Sequence, residues 1–309
     1  MGYAVLFPGQ GSQAVGMGTD VFAARPDLLG EAADGILGWS LAAVCADGPE
    51  EELMRTDRAQ PALFAVSYAL WEAFAGAVPA PPAAAAGHSL GEYTALAAAG
   101  VFGFVDGLRL VAARGAAMAS AAALRPSGMA ALIGADLEQA EELAATRRDA
   151  GGHLWVANLN APGQVVIAGG SDDIAWASKH GRRHGVRRVV PLNVAGAFHS
   201  PFMEPARDDL AEAVDSVSFC EPSFPVWANA TARPHHPEVE KGLLEQLTSA
   251  VLFEQSLLAM AERGIETFVH IGPGEVTTGL ARRSIDNSET HVVSTLEEAA
   301  SVADSIGAG

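Results

Sequence analysis

The chain has 309 residues and a formal net charge of −18, from 37 acidic against 19 basic side chains. That balance disfavours nucleic acid, which needs a basic footprint to neutralise its phosphates, and no apolar run approaches the roughly 18 to 20 residues of a membrane-spanning helix. The length allows one large domain or two with an ample core, and the N-terminus lacks a basic region followed by an apolar segment, so a cytoplasmic location is expected.

In chain order, Tyr3-Ala4-Val5-Leu6-Phe7 is a short apolar strand running into Pro8-Gly9-Gln10-Gly11-Ser12-Gln13. The glycines around Gln10 free the backbone to turn its N–H toward a ligand, as an oxyanion hole requires. Cys45 and Cys220 are the only cysteines and have no paired spacing with histidine, which predicts buried free thiols in a reducing compartment rather than zinc. Ala83-Ala84-Ala85-Ala86 reads as a buried strand, Gly87-His88-Ser89-Leu90-Gly91 as a sharp turn, and Glu92 to Ala99 as a helix. A serine on such a turn is held outward with strained torsions, and flanking glycines let strand and helix pass close. Its hydroxyl also sits at a helix N-terminus, where negative charge on an attacked carbonyl is favoured. Alone, the pattern fits equally a tight turn with a capping serine.

Beyond a turn at Gly103 to Asp106, Arg114 follows on a helix among Val111, Ala112, Ala113, Ala116, Ala117 and Met118. A guanidinium partly buried there is costly without an anion, and its planar fork suits a carboxylate. Between 126 and 194 the pattern changes: strands are predicted at Met129–Gly134, His153–Asn158, Gln164–Ala168 and Arg188–Leu192, with helices over Asp136–Ala145 and from Ser171 to about His184. The order is βαββαβ, the split βαβ of ferredoxin-like domains. The flanking pieces, 1–125 and 195–309, alternate strands and helices and predict one α/β domain with a mostly parallel sheet. Lys179, Arg182, Arg183, Arg187 and Arg188 concentrate positive charge in one ten-residue stretch, either a solvated face or a docking patch for an acidic partner. His199 lies in the returning loop Gly196-Ala197-Phe198-His199-Ser200-Pro201. His153, His180, His184, His235, His236, His270 and His291 have no metal-ligand spacing, and no nucleotide-binding glycine loop is present, so no cofactor or metal is implied.

Phe7 to Gln13, Gly87 to Tyr93, Ala161-Pro162-Gly163-Gln164-Val165-Val166-Ile167-Ala168-Gly169 and Ile271-Gly272-Pro273-Gly274 together resemble the malonyl-CoA:acyl carrier protein transacylases, in the family's order and over nearly the whole chain. The resemblance implies a large α/β-hydrolase-like domain (1–125 and 195–309) with an inserted ferredoxin-like subdomain (126–194) and the active site in the gorge between them. It implies Ser89 as nucleophile and His199 as its base, with backbone N–H groups of Gln10 and Leu90 stabilising the oxyanion. No acidic residue stands in family position to orient the imidazole, so a dyad is expected, its ring held by backbone carbonyls near Ser249-Ala250-Val251-Leu252-Phe253. There Ser249-Ala250 replaces the family's usual Asn-Pro or Glu-Pro, which leaves the donor carbonyl open.

Arg114 matches the arginine that grips the free carboxylate of malonyl. Gln60, Asn160 and Met129 match positions lining the gorge, and His88 is placed to hydrogen-bond the bound carboxylate. Ala197-Phe198-His199 is similar to malonyl-selective acyltransferases of polyketide synthases, where Phe198 crowds an α-substituent. Gly196 departs from the histidine common two residues before Phe198 in modular synthases and points to the discrete, trans-acting acyltransferases. The implied activity is transfer of malonyl from malonyl-CoA to the phosphopantetheine thiol of an acyl carrier protein, for polyketide or fatty acid synthesis. A same-fold hydrolase that clears carrier proteins would lack the Arg114 clamp, and a silent docking subunit would lack Ser89 and His199.

Overall fold

The computed structural model describes residues 2–235 and 237–307; His236 lies outside them. The strands are β1 Tyr3–Phe7, β2 Ala84–Gly87, β3 Ser127–Ile133, β4 Leu154–Ala161, β5 Gln164–Gly170, β6 Arg188–Pro191, β7 Val226–Ala228, β8 Arg233–Pro234, β9 Val251–Leu252, β10 Thr267–Ile271 and β11 Glu289–Val293. The helices that bear on the site are α1 Thr56–Ala77, α2 Gly91–Ala98, α3 Phe104–Ala123, α4 Leu137–Asp149, α5 Ser171–His180, α6 Val239–Gln246 and α7 Val276–Ser284.

One sheet runs β11-β10-β1-β2-β7-β8. Its first five strands are parallel and only β8 is antiparallel, at the edge. β1 and β2 are buried at every residue, which explains why they read as unbroken apolar runs rather than alternating ones. Alanine and glycine are weak strand formers, yet β2 consists of nothing else. Its small side chains fit between bulky layers: Ala84 and Ala86 pack with Leu6, Trp227 and Phe253, and Ala85 joins Phe7 and Tyr93 in the core on the other face. On that side α1 and α3 meet where a side chain on Gly115 would come within 2.9 Å of the Thr56 carbonyl. This close approach draws Gln60 and Arg114, on the two helices, into one place.

The second sheet runs β6-β3-β5-β4-β9. Period-two alternation splits its faces. Ala130, Leu132, Leu154, Val156 and Ile167 pack with Leu143 of α4 and Ile174 of α5, whereas Met129, Ala131, Val166 and Ala168 face the main core. α4 starts on a capping box, Asp136 and Gln139 each bonding the other's backbone N–H. α5 stops at His180 instead of reaching His184; the last turn tightens to a 3₁₀ helix that closes on Gly185 at φ 79°. The fifth strand comes from far along the chain: β9 pairs parallel with β4, Val251 beside Asn158 and Leu252 beside Leu159. Cys45 is buried as expected, but Cys220 is exposed. Its backbone N–H is pinned on the Val101 carbonyl, 2.8 Å away, in the run leading to β7. No single helix among the described residues is long and apolar enough to cross a membrane.

Candidate active site

Ser89 sits between β2 and α2 with φ 51°, a left-handed conformation that a non-glycine residue adopts at a cost. The flanking glycines permit it. A Cβ on Gly87 would lie 1.8 Å from the Gly91 carbonyl carbon, and one on Gly91 would lie 2.3 Å from the Phe7 carbonyl oxygen. Strand, nucleophile and helix thus cross at a spacing that only hydrogen side chains allow, and the serine hydroxyl is held out of the turn.

Ser89 Oγ is 2.7 Å from His199 Nε2. His199 Nδ1 lies 2.9 Å from the Gln246 carbonyl oxygen, which can only accept, so Nδ1 carries the proton and Nε2 is free to take one from serine. The orienting carbonyl is that of Gln246, at the end of α6, and the backbone of Ser249, in the segment anticipated from the sequence, adds a second hydrogen bond to His199. His199 also has positive φ, 56°. Its loop is pinned by Ala197 N–H on Ser127 Oγ and by Ser200 Oγ on the Ala197 carbonyl, and it lies so tightly on α3 that a Cβ on Gly196 would come 2.6 Å from that of Ala122.

Arg114 is 1% exposed. One terminal nitrogen donates to Gln60 Oε1 at 2.6 Å; the other donates to Gln246 Oε1 at 2.8 Å and Ser89 Oγ at 3.1 Å. Its Nε has no hydrogen-bond partner among the described residues, and its guanidinium carbon stands 5.3 Å from the centre of the Tyr93 ring. No carboxylate among the described residues touches it. A fully desolvated cation held by neutral amides beside a nucleophile is a cation prepared for an anion that arrives with the substrate.

Behind the serine lies a network that sequence reasoning missed. Glu92, in the first turn of α2 and fully buried, accepts from Gln246 Nε2 at 2.7 Å, the Asn229 N–H at 2.9 Å and His235 Nε2 at 2.6 Å. Asn229 in turn accepts the Ser89 N–H at 2.7 Å and donates to the Gly87 carbonyl at 2.7 Å. Because the Ser89 N–H is so committed, it is unavailable to a substrate. The N–H groups of Gln10 and Leu90 are different: neither has a hydrogen-bond partner among the described residues.

These groups open on a cavity of about 340 Å³ lined by Gln10, Gln60, His88, Ser89, Leu90 and Arg114 from the first sheet's side, by Met129, Asn158, Asn160 and Val166 from the second, and by Phe198 and His199 from the returning loop. All ten residues singled out from the sequence line this one space. His88 Nε2 is engaged 2.8 Å from Asn160 Oδ1, and its ring packs on Phe253, so it ties the elbow to β4, where one register shift precedes Asn158 and a second follows Leu159. Val276, Thr277 and Leu280 of α7 complete the wall.

Residues 5–306 match the acyl transferase domain family model. The chain belongs to the acyl transferase domain family. It is 38% identical to the malonyl CoA-acyl carrier protein transacylase of Bacillus subtilis, over 94% of this chain and 93% of that one. It is 43% identical to the polyketide biosynthesis protein ThaF of Burkholderia thailandensis over 91% of this chain, which spans only 24% of that longer protein. Among solved structures, it matches a malonyl-transacylase in complex with its type II polyketide acyl carrier protein with a TM-score of 0.93 and 34% identity, over 99% of this chain and 100% of that one. The acyl-carrier-protein S-malonyltransferase of Bartonella henselae gives a TM-score of 0.93 at 36% identity over 99% and 100% of the two chains.

In this acyl transferase the electrostatics follow from burial. Desolvation first, and the Arg114 charge second, push His199 down to about 3 from an ordinary 6.5, so its imidazole is neutral at physiological pH, with Nε2 unprotonated but of lowered basicity. Burial also holds His88 below its ordinary value and lowers Arg114. His270, fully buried under α7, is pushed down to about 4 by desolvation. Its Nε2 faces the Gly272 and Pro273 carbonyls and its Nδ1 lies 2.7 Å from Thr277 Oγ1, so a neutral ring braces the turn that carries the cavity's third wall.

Proposed function

We propose that this acyl transferase moves a malonyl group from malonyl-CoA to the phosphopantetheine thiol of an acyl carrier protein through an acyl-Ser89 intermediate, in polyketide or fatty acid synthesis, with the malonyl-selective, trans-acting polyketide role favoured by the 43% identity to ThaF and by Phe198 in the cavity wall. Ser89 Oγ attacks the thioester carbonyl as its proton passes to His199 Nε2. The oxyanion takes the free N–H groups of Gln10 and Leu90. The C–S bond then breaks, and the CoA thiolate leaves with the proton from His199. In the second half the carrier's thiol gives its proton to His199 and attacks the ester carbonyl, and Ser89 recovers its hydroxyl. The malonyl carboxylate rests on Arg114, with Gln60, Asn160, Met129, His88 and Phe198 shaping the space around it.

The observation that carries this reading is Arg114: buried, without a carboxylate partner, and 3.1 Å from the nucleophile. A carrier-protein hydrolase has no use for that clamp, and a silent subunit has no use for the dyad. Once the substrate carboxylate neutralises Arg114, one cause of the low His199 basicity is removed, so the anionic substrate strengthens its own base.

In this reading 1–125 and 195–309 form the large part and 126–194 the insert, in a cytoplasmic enzyme. The exposed side chains of Lys179, Arg182, Arg183, Arg187 and Arg188, none of which meets a carboxylate among the described residues, form a docking face for the acidic carrier on a protein otherwise charged −18. Mixing the protein with malonyl-CoA should add one malonyl group that peptide mapping by mass spectrometry assigns to Ser89. An adduct that persists in Ser89→Ala would overturn the assignment.

A further inference from the structure

Outside the residues that touch substrate in this reading, one side chain is tied to the site by two independent contacts. His235 follows β8, with its side chain 2% exposed. Its Nε2 donates to Glu92 Oε1 at 2.6 Å, and the other Glu92 oxygen receives Gln246 Nε2, whose amide oxygen receives Arg114. The ring also lies against α6: a Cβ on Gly242 would come 2.9 Å from His235 Cε1 and 3.0 Å from Nδ1. Gly242 is one helical turn before Gln246, on the same face of α6. His235 therefore fixes both the carboxylate that Gln246 donates to and the helix from which Gln246 projects.

We infer that His235 is a positioning residue for the selectivity of the acyl site, holding Arg114 on its mark through Glu92 and Gln246. The inference rests on the reading of Arg114 as the carboxylate clamp. The Gln246 amide stands between a buried carboxylate and a buried guanidinium, donating to one and accepting from the other. Each hydrogen bond polarises the next in a low-dielectric interior. Freed from His235, the Glu92 carboxylate keeps two donors and can turn. The Gln246 side chain follows it, and the guanidinium loses its fixed aim at a carboxylate. Ser89 and His199 meet this chain of contacts mainly through main-chain atoms, the Ser89 N–H on Asn229, the Ser89 carbonyl under Gln246 Nε2 and His199 Nδ1 on the Gln246 carbonyl, whereas Arg114 is aimed by the Gln246 side-chain oxygen. Acyl groups with a free carboxylate should therefore lose more than those without.

The test measures single-turnover acylation of Ser89 by malonyl-CoA and by acetyl-CoA in His235→Phe, His235→Gln and Arg114→Ala, and in His235→Phe combined with Arg114→Ala. His235→Phe should lower the malonyl-to-acetyl ratio about tenfold, as loss of one hydrogen bond to a charged group does. His235→Gln, which keeps a donor for Glu92, should restore most of the ratio. In the Arg114→Ala background His235→Phe should change the ratio no further, because the two act on one element. If both acylations fall together in His235→Phe and His235→Gln while Arg114→Ala alone is selective, His235 is merely structural and the inference fails by itself. If Arg114→Ala lowers both substrates alike, the clamp reading fails and takes the inference with it.

Discussion

The two long walls of the cavity are built on different principles. On the elbow side almost every polar atom is spoken for: Ser89, Arg114, His199, Gln60, Gln246, Asn229 and Glu92 bond chiefly to one another, at 2.6 to 3.1 Å. On the side of the second sheet, Met129 and Val166 are apolar, and among the described residues the Asn160 side chain is tied only to His88. The first wall fixes where bonds form and break, and it tolerates no slack. The second fixes what shape fits, through packing that relaxes by degrees. Substitutions on the first should be steep and non-additive, and those on the second shallow and separable.

The steepest expected break is His199→Ala, which leaves Ser89 unactivated; acylation should fall by about 10²–10⁴ in stopped-flow or quenched-flow assays. A loss under tenfold would mean that Arg114, also within reach of Ser89 Oγ, does most of the activation. Next comes Arg114→Ala. Malonyl loading should fall a hundredfold or more, about 3 kcal/mol for two charge-assisted bonds in a dry site, with acetyl loading little changed. Equal losses would make the arginine a structural cation.

Burial of neutral imidazoles sharpens the contrast through pH. His199 and His270 are pushed down to about 3 and about 4, against 6.5 when unfolded. Between those values the unfolded chain binds protons that the folded one refuses, so stability is full above pH 6.5 and is lost as pH falls, by up to ~1.4 kcal/mol per pH unit for each ring. Urea midpoints at pH 7.5 and 5.5 should show the drop, and His270→Gln should reduce its slope. Acylation should meanwhile show no histidine titration from pH 8 to 5, since His199 stays neutral throughout. The smallest effect belongs to the shape of the cavity: Phe198→Ala should improve methylmalonyl loading relative to malonyl about tenfold, a methyl group being worth about 1–3 kcal/mol. No change would assign Phe198 to core packing alone.

Legibility in the sequence followed contiguity. The elbow could be read because its nucleophile and both glycines lie within five residues, and the backbone strain that they permit is local. Arg114 was legible because a charge amid small apolar neighbours is anomalous wherever it points. Glu92, Asn229, Gln246 and His235 were not, for the bonds that join the elbow and Arg114 to the later residues span 132 to 157 positions of chain and amides leave no periodic trace. Glu92 looked like an ordinary acidic residue in a first helical turn. The βαββαβ order was legible from alternation and caps, whereas β9 was not: two residues are too short for any period to register.

That short strand has a practical consequence for grafting. Anyone exchanging residues 126–194 between relatives to alter acyl choice moves four strands of the second sheet and leaves the fifth behind, because Val251 and Leu252 belong to another stretch of chain. The transplanted β4 must then accept the host's edge at Asn158 and Leu159, the first of which lines the cavity. Compatibility of a chimera is therefore decided less at its two cut points than at a ladder of two residues nearly sixty positions downstream of the second cut, and 251–252 should travel with the graft.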